Sequence, residues 1–292
     1  MRKYSTGLLL LTCLTVLVFL TFSAPPRALA ETLTLTTVDV PGAIETDCNA
    51  INRQGVIVGF YIDSSGINHG FARVNSTFKK INVPNSTGTL AYGINDNQQI
   101  VGWFTDTSGL THGFMFSAGH FTKIDYPGST FTNAWTINNA GTIVGTYIGT
   151  DGRYHGFIDK AGVFTSYDAP NGSTLTQILG VNNHDQMVGI FFDSSSVQHG
   201  FQLQNGQFRQ IDYPGSGVTA ADRINDTGEV VGLYGASSSG PFSGYTKIGT
   251  TFTTVMYPGS TETRVRGVNN AGTLAGRYTD ANGVIHGMTG TP

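Results

Sequence analysis

The chain has 292 residues, a formal charge of −3 and only 12% charged residues, with 39 glycines among many Thr, Ser, Asn, Tyr and Phe. That texture describes short strands joined by tight turns. A weakly acidic chain is repelled by phosphate backbones and anionic lipid, so nucleic acid is excluded as a partner.

In chain order, Arg2 and Lys3 precede the apolar run 8–22, and Ala28-Leu29-Ala30 closes it after a Pro25-Pro26 break. This is the layout of a cleaved secretory signal, residues 1–30. An uncleaved membrane anchor is the alternative, and the Ala-x-Ala end argues against it. Cys13 follows Thr12 inside the continuing apolar run, which does not suit a lipoprotein. Export to the periplasm or the extracellular space is therefore expected, with no membrane attachment once the signal is removed. Cleavage removes three cations and no acids, leaving 13 basic and 19 acidic residues, a charge of −6. One cysteine remains, Cys48, so no internal disulfide supports the fold. A compact unit over 31–292 buries roughly 70–75% of its unfolded surface, enough to stand without staples, and a monomer is expected.

The pair Ile/Val-Asn recurs at Asn52, Asn95, Asn138, Asn182, Asn225 and Asn269, spaced by 43 or 44 residues. A glycine follows each Asn by seven residues, from Gly59 to Gly276. His-Gly recurs at His69, His112, His155, His199 and His286, with Ser243-Gly244 in the fifth slot. Six units at one period are repeats of a single structural element. Each reads as four strands: one ending in Ile-Asn, one through Val-Gly, one through His-Gly-Phe and one like "FTKIDYP". The turns between them ("NNAG", "DSSG", "SAG") supply the positive-φ residues that hairpins need. No stretch has the period and caps of a helix. Four strands per unit is the arithmetic of a propeller blade, so the fold class is an all-β six-bladed propeller. The first copy is preceded by a fourth-strand segment at 32–42, and the chain ends on a third strand at 284–290. Pairing the two closes the ring and removes two open sheet edges.

The motif "GINN-x-G-x-IVG", the Asp-x-x-Gly turn and His-Gly-Phe together resemble the secreted extracellular repeats of the HAF family, named for a His-Ala-Phe step. The resemblance covers about residues 33–292, with Gly in place of Ala in every copy. It implies an exported, propeller-like repeat protein and brings no reaction and no catalytic residues.

The recurrent residues read as structure. With strands about 4.8 Å apart, third strands of neighbouring blades lie about 16 Å from each other. A zinc ion needs ligands about 2 Å from one point, so the histidines share no metal, and neither metal nor cofactor is expected. They are assigned to hydrogen bonds inside their own blades. The repeated Asn is assigned to capping its turn, and Thr46, Thr89, Thr132, Thr176, Thr219 and Thr263 to holding a connecting loop. Tyr61, Phe104, Tyr147, Phe191, Tyr234 and Tyr278 are expected to pack between blades. His120 and His184, outside the repeat, are expected in turns, facing solvent.

Function is sought where the copies differ. Counting back from the Ile/Val before each Asn, positions −2, −4 and −6 vary and share one face, while −1, −3 and −5 are mostly small or Thr. Blades 5, 6 and 1 place Asp222, Arg266, Arg264, Glu262, Asn49, Asp47 and Glu45 there; blades 2 to 4 place Tyr92, Leu90, Trp135, Asn133, Phe131, Leu179, Gln177 and Leu175. These residues follow the loop entering each blade, on the face where propellers commonly bind ligands. Aromatics on one side and charged groups on the other suit a sugar or another amphipathic ligand. The candidate ligand-binding residues are Asp47, Asn49, Tyr92, Asn133, Trp135, Asp222, Arg264 and Arg266. The sequence contains no serine-hydrolase elbow, no His-Glu-x-x-His and no phosphate loop, and its Asp turns lack the oxygen ligands of a calcium loop. The reading is a secreted binding module for carbohydrate or an extracellular protein. The alternatives are a glycan-cleaving hydrolase or lyase using Asp47, Asp222 or Glu262, and a purely structural repeat protein.

Overall fold

Asn/Gly turns and alternating strands resolve into six antiparallel four-stranded sheets in the computed structural model, which describes Met1 and residues 33–170 and 173–292. The signal-peptide reading of residues 1–30 and the cleavage point before Glu31 lie outside the described residues. Blades 1 to 5 occupy 45–81, 88–124, 132–167, 175–211 and 218–255, each with its strands in sequence order. Blade 6 takes three strands from 262–291 and its outer strand, Thr34–Thr37, from the other end of the chain. Thr34 pairs with Thr291 and Thr37 with Met288, and Val38 N–H donates to Gly287 O at 2.8 Å. The ring is a six-bladed propeller without a helix among the described residues, closed as its offset ends require.

The core lies in the seams between blades. One apolar cluster joins Val58, Ala72 and Ile81 of blade 1 to Ala91, Ile100 and Phe114 of blade 2, and the next joins Val101 and Ile124 to Ala134, Ile143 and Phe157. The residue after each His-Gly step, or Ser-Gly in blade 5, drives this packing: Phe71, Phe114, Phe157 and Phe201, then Tyr245 and Met288, are all fully buried. Each contributes roughly 2–3 kcal/mol of burial.

Every repeated polar residue has a fixed task. Each of the six threonines accepts a backbone N–H from the loop before its blade, from Val40 N–H to Thr46 Oγ1 at 3.1 Å to Tyr257 N–H to Thr263 Oγ1 at 2.9 Å. Each repeated Asn accepts a turn N–H on Oδ1, as Asn52 does from Val56 at 2.9 Å. Its Nδ2 also donates to the carbonyl of the same Asn one blade on, at 3.0–3.2 Å, until Asn269 donates to Asn52 and the circle closes. The turn-capping half of this was legible from sequence and the ring was not.

The histidines are held in their own blades. His112 lies between Asp106 (3.2 Å) and Asp125 (3.0 Å), and His155 between Asp151 (3.0 Å) and Asp168 (2.7 Å). His199 and His286 have the same two carboxylates, while His69 has Asp63 and Asn82. Each ring packs on the aromatic after Val-Gly, with centroids 5.0–5.3 Å apart. That aromatic also meets the preceding loop across the seam; Tyr126–Tyr147 and Tyr213–Tyr234 stack at 3.5 Å. In blade 5 the entire clasp is replaced, with Ala236, Ser243 and Met256 at the places of turn acid, histidine and second acid. The turn there, between Tyr234 and Ser243, is one residue longer than in the other copies. His184 is exposed in a turn as expected; His120 is exposed too, but opens the fourth strand of blade 2.

Candidate functional site

The inner strands carry a device that plain alternation does not anticipate. In all six the register slips at position −2, so Asn49, Tyr92, Trp135, Leu179, Asp222 and Arg266 each sit in a β-bulge. A bulge leaves its residue unpaired and re-aims its side chain. Opposite position −3 stands the glycine seven residues after each Asn, where any Cβ would run into the −4 carbonyl. A glycine seven residues after each Asn is thus required by the close approach of two strands.

The axis itself is tied by Arg223, a position −1 residue that sequence reasoning set aside among the small ones. The side chain reaches across the channel and is 7% exposed. One terminal nitrogen donates to Leu179 O at 2.6 Å and Asp222 O at 2.8 Å, the other to Tyr92 O at 2.7 Å and Trp135 O at 3.1 Å. Those four carbonyls belong to bulge residues of blades 4, 5, 2 and 3. Burial lowers its pKa to about 10, with Asp222 opposing the shift, so the group stays cationic at neutral pH. Arg223 separates a small cavity of about 90 Å³ on the Asn-ring side from one of about 270 Å³ on the face where loops enter the blades.

The larger cavity contains five of the eight candidate residues in its wall: Tyr92, Trp135, Asp222, Arg264 and Arg266. Trp135 stands edge-on to Tyr92 at 4.5 Å and anchors its indole N–H on Thr146 Oγ1 at 2.9 Å. Arg264 donates to Glu262 at 2.6 Å and lies over the Phe242 ring at 4.6 Å. The other three candidates sit elsewhere. Asp47, 1% exposed, lies behind the wall, 3.2 Å from Arg277 and 3.9 Å from Arg266. Asn49 donates to Ala91 O at 3.0 Å across the seam of blades 1 and 2, and Asn133 is buried on blade 3. Unforeseen wall residues come from second and third strands and one turn: Ile190, Gln198, Leu233, Ser238 and Phe242. Two signals pointed to the omissions: Arg223 is the one charged residue at position −1, and Ser238 lies in the one turn with an extra residue.

Arg223, Arg264, Arg266 and Asp222 are the charged residues of the wall, with Glu262 bound to Arg264, and Glu45 and Asp47 bound to Arg277 behind it. Burial raises the pKa of Asp222 against the pull of Arg266 and Arg223, and pushes Tyr92 up to about 12. For Arg266 burial opposes the charge, but Asp47 and Asp222 outweigh it and hold the guanidinium cationic. Seven buried atoms here have no protein hydrogen-bond partner: Asp47 Oδ1, Asn49 Oδ1, Asn133 Oδ1, Asp222 Oδ2, Arg223 Nε, Arg266 Nε and Arg277 Nε. Those of Asp222, Arg223 and Arg266 belong to residues of the wall. Unpartnered buried polar atoms are uncommon and call for a partner that is not protein. No group of residues among those described could hold a metal ion.

No protein-family model matches the chain, and no curated protein does. Solved structures do. AofleA from Arthrobotrys oligospora is 9% identical, covering 88% of this chain and 85% of its own, with a TM-score of 0.56. The Aleuria aurantia lectin in complex with Fucα1-6GlcNAc is 9% identical, covering 87% and 93%, with a TM-score of 0.52. The β-propeller domain of the Trilobed protease from Pyrococcus furiosus is 10% identical, covering 84% and 81%, with a TM-score of 0.54. At such identities the likeness shows the fold.

Proposed function

We propose that the protein is an exported carbohydrate-binding propeller whose ligand sits in the mouth between Tyr92 and Trp135 on one side and Asp222, Arg264 and Arg266 on the other. The observation that carries this is a 270 Å³ cavity with apolar and aromatic walls and buried polar atoms that lack protein partners. Sugars present both an apolar ring face and a belt of hydroxyls, which matches such a lining. One of the fold relatives, the Aleuria aurantia lectin, is seen with fucosides, which supports the same class. Export rests on the N-terminal sequence and the resemblance to HAF repeats; sequencing of the secreted protein is expected to start at Glu31. A glycan array of the mature protein tests the reading. Trp135→Ala is expected to weaken any hit by about 1–3 kcal/mol through the lost aromatic anchor. Turnover of a bound glycan that disappears in Asp222→Asn would instead assign a glycan-cleaving enzyme.

A further inference from the structure

We infer that the mouth takes one uncharged terminal sugar ring, held by two adjacent hydroxyls between Asp222 and Arg266; this rests on the carbohydrate-binding reading above. Access comes first. Arg223 closes the floor with hydrogen bonds to four blades, so no chain threads the axis. A volume of about 270 Å³ is at the small end for ligand pockets and holds a single ring. The ligand therefore enters end-on.

The chemistry of the two free groups narrows the class. Asp222 is 3% exposed, lines the cavity and has Oδ2 buried without a protein partner. Arg266 lines the same cavity, and its nearest carboxylate oxygen, Asp47 Oδ2, is 3.9 Å from Nε, beyond hydrogen-bond reach. One group needs a donor and the other an acceptor. A ligand carboxylate only accepts, so it would serve Arg266 and face Asp222 as a like charge. A ligand ammonium only donates and would face Arg266 in the same way. A hydroxyl does both, and two on neighbouring carbons answer both residues from one rigid ring. Of the other two arginines in the wall, Arg223 is bound to four carbonyls and Arg264 to Glu262, so neither is free to take a ligand carboxylate. Leu179, Ile190 and Leu233 complete an apolar wall for the ring's C–H face.

The test is a binding panel on the wild-type mature protein. It compares methyl glycosides of neutral hexoses and deoxyhexoses with the matching uronates and amino sugars, and intact glycans with glycans treated with periodate, which splits vicinal diols. Neutral glycosides are expected to bind, charged analogues to bind about tenfold or more weakly, and periodate treatment to abolish binding. Arg266→Gln and Asp222→Asn are each expected to lower affinity about tenfold or more, with melting temperature measured alongside. If either variant fails to fold, the wild-type panel decides alone. Equal or tighter binding of a charged analogue, or binding that survives periodate, overturns this inference and leaves the carbohydrate reading standing. A protein that binds no glycan overturns both.

Discussion

Replacing Arg223 by methionine removes the tie across the axis while keeping most of the side-chain volume. Four hydrogen bonds, to the carbonyls of Leu179, Asp222, Tyr92 and Trp135, are lost in a place water reaches poorly, and of the four only Leu179 O keeps a side-chain donor, the Thr136 hydroxyl at 2.6 Å. At about 1 kcal/mol net per bond the loss is about 4 kcal/mol. For a chain of this size each kcal/mol moves the melting temperature by roughly 2–4 °C, so a fall of roughly 8–16 °C is expected. Arg223→Lys, with a single ammonium able to reach fewer of the four, is expected to fall between wild type and Arg223→Met. Thermal unfolding followed by circular dichroism, with urea unfolding as a check, measures both. The change also frees the bulges that aim Tyr92, Trp135 and Asp222, so ligand affinity is expected to fall in the folded variant. An Arg223→Met protein that melts within a few degrees of wild type would refute the idea that these bonds hold the blades together.

Two further outcomes follow from the blades. In His155 burial opposes the charge, but hydrogen bonds from the ring to Asp151 and Asp168 outweigh it and raise the pKa. Stability from a raised histidine pKa is complete below the unfolded value and is lost as pH rises through the folded one. The melting-temperature gap between wild type and His155→Asn is therefore expected to be wider at about pH 5.5 than at about pH 9, with affinity for any mouth ligand unchanged; an equal gap at both would contradict the clasp. Deleting residues 31–42 removes the outer strand of blade 6 and the Asp39–His286 contact, and exposes the edge at 285–291. Aggregation or loss of cooperative unfolding is expected, and a truncated protein that melts normally as a monomer would count against strand-exchange closure.

The repeat made the architecture readable because each blade obeys the same local rules. Asn/Gly turns fix the hairpins, the 43–44 period fixes the blade, and the phase of the two ends fixes closure. The internal tasks of His155, Thr132 and Asn138 were readable for the same reason: a residue present in nearly every copy answers to its own blade. The mouth was less legible. Two-residue alternation points to Tyr92, Trp135 and Asp222, but the bulge at each −2 position is a departure from pairing that no residue type announces. Asp47, Asn49 and Asn133 have the right parity and the same depth as wall residues of other blades, yet Asn49 turns to Ala91 O, Asp47 to Arg277, and Asn133 is buried on its blade, so the partners each blade offers decide. Arg223 was passed over because its neighbours in the alignment of copies are alanine, glycine and threonine. An arginine there escapes the crowding by turning onto the axis, which only the assembled ring makes available.

The loss of the clasp in blade 5 has a meaning beyond packing. Ala236, Ser243 and Met256 stand in for all three residues, so returning a histidine at 243 alone would set an imidazole beside an alanine and a methionine. Blade 1 keeps the clasp with Asn82 at the place of the second acid, so one partner can change while the histidine stays held. Blade 5 carries none of the three: its turn is a residue longer, and Ser238 and Phe242 lie in the wall of the mouth. In a protein made of near-identical parts, the one part without the common clasp is also the one whose longer turn leans over the cavity.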